Sequence, residues 1–316
     1  MTIIGIRKVT YTISSILVGA SILALAFWGL KLGIDFTGGS LLEVEFTESR
    51  PENSVILEKL KETGIESAIV QSTGEKGAIL RFQDIGEEQH QDILFSLSKL
   101  SDEQAPMPEG IGAPTSAKPS VGEKRFDSIG PTIGKELRRK SIWAISLVLI
   151  MIVLYIAWAF RKVSQPISSW KYGVAAIIAL IHDIAIPTGV FAYLGKFYGV
   201  EVDTLFVTAL LTILGFSVHD TIVVFDRIRE RLMKSKGEGF ESMVEWSIRS
   251  TIGRSINTSL TVIVVMAALY FLGGVSTKFF SLAIMIGVFF GTYSSIFIAS
   301  ALLVSWNKRL QKSVTV

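Results

Sequence analysis

Apolar windows of roughly 20 residues recur along this chain, the length a helix needs to cross about 30 Å of hydrocarbon. Six such windows can be read: Thr10–Leu32, Ser141–Phe160, Trp170–Leu194, Thr204–Phe225, Thr251–Leu272 and Phe280–Trp306. A soluble domain of this length carries more charge and breaks its apolar runs sooner. Here 49% of the 316 residues are hydrophobic and 19% charged. The expected fold is therefore an all-α polytopic membrane bundle of six transmembrane helices.

The cations order these spans across a bilayer. Arg7 and Lys8 precede the first, and Arg161, Lys162 and Lys171 lie between the second and third. Arg227, Arg229, Arg231, Lys234, Lys236 and Arg249 follow the fourth, and Lys308, Arg309 and Lys312 the sixth. All fall on one side if the helices alternate, whereas the opposite short loops hold only Lys196 and Lys278. The positive-inside rule then places both termini in the cytoplasm of a multi-pass protein of the cytoplasmic (inner) membrane. The first span has a basic start and an Ala24-Leu25-Ala26 tripeptide, as a cleaved signal does. Hydrophobicity runs on through Trp28 and Leu30, however, and favours an uncleaved helix. A net charge of only +3, with cations at membrane ends, excludes a nucleic-acid surface. Without cysteine there are no disulfides and no thiolate metal sites.

Between the first two spans the chain changes character. "LLEVEF" alternates as a half-buried strand, "NSVILEKLKETG" reads as a helix capped by Asn53, and "SAIVQS" and "AILRF" flank the turn "TGEKG". "EEQHQDILFSLSKL" is a second amphipathic helix, and "EKRFDSIG" follows the Pro/Gly-rich linker "APMPEGIGAPTSAKP" as a last strand. The order β-α-β-β-α-β is that of an inserted α+β (ferredoxin-like) extracytoplasmic domain. The expected organisation is a first helix (1–32), this domain (33–140), a five-helix region (141–306) with a cytoplasmic loop (226–250), and a cytoplasmic tail (307–316). Glu43 and Glu45 share a strand face and read as solvated, so nothing in the domain points to catalysis.

Polar groups inside the spans carry the functional signal, because intramembrane ionisable side chains are rare and mark ion or proton paths. His182-Asp183 lies roughly 18 Å into the third span, near the midplane. Asp220, preceded by His219, lies about 9 Å from the cytoplasmic end of the fourth. Arg254 sits near the same end of the fifth span, with Asn257, Thr258 and Thr261 extending a polar stripe upward. Asp220 and Arg254 are thus expected to face each other. A carboxylate poised between desolvation and a guanidinium suits proton handling, with Arg as a counter-ion that cannot itself deprotonate. Either histidine can titrate near neutrality. Gly287 and Gly291 form a small-residue ridge for close helix packing.

Several stretches resemble one family: "GIDFTGGSLLEV", "IGPTIGKELRRKSIWA", "LIHDI", "LLTILGFSVHDTIVVFDRIRERL", "TIGRSINTSLT" and "IGVFFGTYSSIFIASALL". In this order they are similar to SecF, the smaller subunit of the bacterial SecDF complex, within the resistance-nodulation-division exporter superfamily. The resemblance implies an accessory subunit that uses the proton-motive force to promote protein translocation or release, with no enzymatic activity and no cofactor. It implies SecD, the SecYEG channel, unfolded preproteins and membrane lipid as partners, and maps the family's Asp and Arg onto Asp220 and Arg254. One departure is His219, where the family usually has Asn. Two other readings stand beside it. An intramembrane aspartyl protease would need Asp183 and Asp220 to share a proton, and a proton-coupled metal carrier would need the His-Asp pairs to chelate.

Overall fold

The computed structural model describes residues 2–47, 49–103, 121–160, 167–234 and 238–314. The chain divides into two compact units, one formed by Leu32–Lys140 and the other by Met1–Lys31 with Ser141–Val316. The linker at 105–119, the loop cations Arg161 and Lys162, and Lys236 lie outside the described residues.

The described residues of the inserted unit form a four-stranded antiparallel sheet, β1 (Gly39–Phe46), β2 (Ala68–Thr73), β3 (Gly77–Phe82) and β4 (Val121–Ile129), in the order β2-β3-β1-β4. Two helices, α3 (Asn53–Glu62) and α4 (Glu87–Glu103), bridge β1 to β2 and β3 to β4. This is the split βαβ arrangement that the element order implied. Alternation along β1 and β3 sends Leu42, Val44, Phe46, Ala78 and Leu80 to one face, where they meet Ile56 and Leu60 of α3 and Ile93 and Leu97 of α4. Asn53 does not cap α3. It is the first helical residue, Glu52 holds the cap position, and the Asn53 side chain instead accepts from Arg50. Glu45 pairs with Lys124 on β4 at 2.6 Å, and the ammonium draws its carboxyl below the usual range.

The chain enters β1 through a short helical turn, α2 (Ile34–Thr37), and two glycines. Gly38 and Gly39 have φ of 76° and 124°, a region that residues with a Cβ rarely occupy. A Cβ on Gly38 would lie 2.7 Å from Pro131 Cα, and one on Gly39 2.8 Å from the Phe82 carbonyl oxygen. Both positions therefore need glycine twice over, for conformation and for space.

Among the described residues six helices are long and apolar enough to span a bilayer, so the chain is a multi-pass membrane protein. They are α1 (Arg7–Trp28), α5 (Pro131–Ala159), α6 (Ser169–Tyr198), α7 (Thr204–Lys234), α8 (Phe240–Leu272), and a sixth span made of α9 (Val275–Ser294), a π-helical turn (Ser295–Ala299) and α10 (Ser300–Val314). Helices α6, α7 and α9 form the centre. Helices α1, α5 and α8 leave most apolar side chains outward, among them Ile13, Phe27, Trp143, Leu154, Leu260 and Val264, as lipid-facing helices do.

The interval expected as a loop over 226–250 is helical at both ends. Helix α7 runs on to Lys234, and α8 begins at Phe240, because Phe240, Met243, Val244, Ser247, Ile248 and Thr251 bury one side at helical spacing. Two guanidiniums of α7, Arg227 and Arg231, lie over the Trp246 ring of α8 at 4.9 and 4.6 Å. Glu241 binds Arg7 at 2.8 Å and Lys308 at 2.6 Å, and Glu245 accepts from the amides of Ile3 and Ile4. The start of α8 thus fastens both ends of the chain.

Candidate functional site

Asp183 lies halfway along α6, about 21 Å from its first residue. It has no exposed surface. Its Oδ1 meets His182 Nδ1 at 2.8 Å, while Oδ2 accepts from Ser217 of α7 and, at 2.7 Å, from Ser294 at the end of α9. Adjacent residues on a helix ordinarily diverge by about 100°. Here the His182 ring folds back onto its neighbour, lies 6.0 Å from the Tyr293 ring, and keeps a buried Nε2 with no hydrogen-bond partner among the described residues. Four residues on, Pro187 has no N–H to offer the Asp183 carbonyl.

Asp220 lies three residues, nearly one turn, beyond Ser217 on the same side of α7 and is 7% exposed. Its Oδ1 accepts from Ser255 of α8, and its Oδ2 from Ser295 at 2.5 Å. The Ser259 hydroxyl continues this polar seam, bonding the hydroxyl of Thr292 on α9. Each carboxylate is therefore held by hydroxyls from two other parts of the bundle.

The expected Asp220–Arg254 ion pair is not formed. Arg254 is exposed and has no ion pair among the described residues, because α8 presents Ser247, Thr251, Ser255 and Ser259 to the bundle at every fourth position. Arg254 precedes Ser255 and points about 100° away. The expected stripe is displaced for the same reason. Asn257, Thr258 and Thr261 are all exposed, and the Thr258 and Thr261 hydroxyls bond only carbonyls of their own helix. His219 is likewise exposed and does not join Asp220. Only His182 and Asp183, of the ionisable residues singled out in the sequence, touch each other.

Small residues allow the seam to close. A Cβ on Gly287 would sit 2.3 Å from Ile213 Cδ1, and one on Gly291 3.2 Å from Ser217 Cβ, so α9 lies against α7 where both carboxylates are held. The residues that hold the acids, Ser217, Ser255, Ser294 and Ser295, are not among those to which the sequence pattern points. The four-residue spacing of Ser247, Thr251, Ser255 and Ser259 was the available signal, since it marks one face of a helix.

The geometry bears on the competing chemistries. The two carboxylates make no hydrogen bond to each other and each has its own donors, unlike a dyad sharing a proton. Among the described residues no three His, Asp or Glu side chains converge as metal ligands.

Comparison with known proteins agrees with the arrangement of helices around an inserted domain. Residues 113–309 match the family described as "Protein export membrane protein SecD/SecF, C-terminal", and residues 24–49, which include Gly38 and Gly39, match the "SecD/SecF GG Motif". The chain is 44% identical to the "Protein translocase subunit SecF" of Thermobaculum terrenum, over 96% of this chain and 93% of that protein. It is 34% identical to the subunit of the same name from Haemophilus influenzae, over 94% and 83%. The crystal structure of the Thermus thermophilus SecDF, a translocon-associated membrane protein, superposes with a TM-score of 0.78 at 31% identity, covering 98% of this chain and 39% of that longer one. The chain belongs to the SecD/SecF family of protein export membrane proteins, as a member of its SecF branch.

Proposed function

We propose that the chain, in its accessory role in protein translocation, couples the proton-motive force to export, and that Asp220 is the group that takes up and releases the proton. The observation that carries this reading is the kind of ligand around the acids. A guanidinium at bonding distance would hold a carboxylate ionised. A hydroxyl both donates and accepts, so it bonds the ionised and the protonated form alike. Asp183 and Asp220 meet hydroxyls and one imidazole, and among the described residues neither has a Lys or Arg side chain bound to it.

The exposed Arg254 then serves as a counter-ion for a group outside this chain. Exporters in which two such halves meet supply that group from a second subunit, and SecD is the partner the relatives point to, with the Sec translocon beyond it. Both termini lie on the cytoplasmic side, where the cations gather, and the inserted domain faces outward to engage the emerging preprotein. In membrane vesicles bearing the full complex, an imposed proton gradient should stimulate preprotein export. Asp220→Asn should abolish the stimulation while assembly persists. Full stimulation in that variant would refute the reading.

A further inference from the structure

Ser294 and Ser295 are neighbours, yet they serve carboxylates on different helices: Ser294 donates to Asp183 of α6 at 2.7 Å and Ser295 to Asp220 of α7 at 2.5 Å. Each hydroxyl also has a second acceptor within reach. Ser294 Oγ is 3.0 Å from the Gly291 carbonyl, and Ser295 Oγ is 3.0 Å from that of Thr292. A hydroxyl has one proton to give. Facing an ionised acid it donates to the acid; facing a protonated acid it accepts, and its own proton turns to the backbone.

The Gly291 carbonyl links the two sites. It is also the acceptor of the Ser295 backbone N–H. When Ser294 turns to that carbonyl, it shares the oxygen with the bond that holds Ser295 in place. Ser295 in turn opens the π-helical turn, where the Ser300 hydroxyl bonds the Ser295 carbonyl at 2.9 Å. Such turns are single-turn irregularities with a looser backbone ladder than the α-helix around them. Opposite, Pro187 leaves the Asp183 carbonyl without its helical partner. Both backbones at this level can shift without breaking a regular ladder.

We infer that Ser294 and Ser295 are positioning residues that make proton occupancy at Asp183 and at Asp220 interdependent, through the Gly291 carbonyl and the turn that follows it. This rests on the proton-carrying reading of Asp220 and gives Asp183 a defined part in it. The other titratable or charged groups nearby are His182 on α6 with Tyr293 of α9 against its ring, and the exposed His219 on α7 and Arg254 on α8. None lies between the two acids in the hydrogen-bond chain.

The test is an infrared titration of the purified complex, following the protonated carboxyl band that Asp220→Asn removes. Asp183→Asn should move the pH at which this band half-appears by about one unit or more, as for interacting sites. The same substitution should move it by less than a third of that in a Ser294→Ala background, and Ser294→Thr, which keeps a hydroxyl, should restore the shift. An unmoved band with native Ser294 would overturn the inference. So would a shift of equal size with Ser294→Ala, since the acids would then interact through space. Neither result depends on export, whereas unimpaired gradient-driven export in Asp220→Asn would count against the proton-carrying reading itself.

Discussion

Arg254 and Ser255 are consecutive on α8 and face different surroundings: the Ser255 hydroxyl reaches inward to Asp220, while the Arg254 side chain is exposed. One step of about 100° separates a group that belongs to the interior from one that this chain leaves free. The polar middle of α8 is thus two-sided, with its serines turned inward and Arg254, Asn257 and Thr258 outward. Outward polar groups in a span are costly against lipid, so they find partners in protein or water.

Substituting Arg254 with Gln should therefore change the stability of this chain by no more than about 0.5 kcal/mol, as for an exposed side chain without partners. It should nonetheless remove gradient-driven export. Thermal unfolding of the purified chain beside a vesicle export assay separates these effects. A large loss of stability would mean that the guanidinium has an internal partner after all.

Ser255→Ala removes one of two donors to a buried carboxylate and should lower stability by about 1.5–3 kcal/mol where the acid is ionised. Ser259→Ala, which removes bonds to the Thr292 hydroxyl and to the Ser255 carbonyl of its own helix but none to a charged group, should cost less, about 0.5–1.5 kcal/mol. Denaturant unfolding in a detergent that keeps the chain reversible would rank the two. Equal losses would show that Ser255 acts as a spacer and not as a donor.

Gly287→Ala should destabilise the α7–α9 contact by about 1–3 kcal/mol, because the new methyl meets Ile213 head-on. Combining it with Ile213→Ala should recover part of the loss, since the obstacle is the branched Ile213 side chain and not backbone. A double-mutant cycle measures this, and strictly additive losses would contradict the close approach.

Within the inserted unit, Leu80→Ala should cost about 2–5 kcal/mol, as for a buried leucine with little freedom for its neighbours to collapse. Gly39→Ala should cost more than about 1 kcal/mol, since φ and space both oppose a side chain there. Hydrogen exchange on the full chain would report both as faster exchange of the β1 and β3 amides, about tenfold for each 1.4 kcal/mol lost. Unchanged protection at β1 in Gly39→Ala would remove the explanation given for that glycine.

The spans and the inserted domain were legible because each obeys a local rule. Apolar length marks a membrane helix, and the period of two in "LLEVEF" against the helical period in "EEQHQDILFSLSKL" fixes the element order of the sheet unit. That Asp183 and Asp220 lie within long apolar helices was legible for the same reason. Rotation was not. Arg254 attracts attention as the charged partner for an acid, but which side of α8 faces inward depends on the whole pattern from Phe240 to Ser259, and on helix extensions that a membrane-length window leaves out. The serines at Ser294 and Ser295 were hidden for a different reason. They sit where α9 passes into a π turn, and an ideal periodicity does not predict that two adjacent side chains will serve two different helices.

The most direct test of the account is proton flux through the intact complex in sealed vesicles, read with an internal pH-sensitive dye under an imposed gradient. The account predicts that Asp220→Asn stops the flux and that Asp220→Glu, which keeps a carboxyl group among the same hydroxyls, retains part of it. Undiminished flux in Asp220→Asn would show that protons cross by a path that does not use this acid.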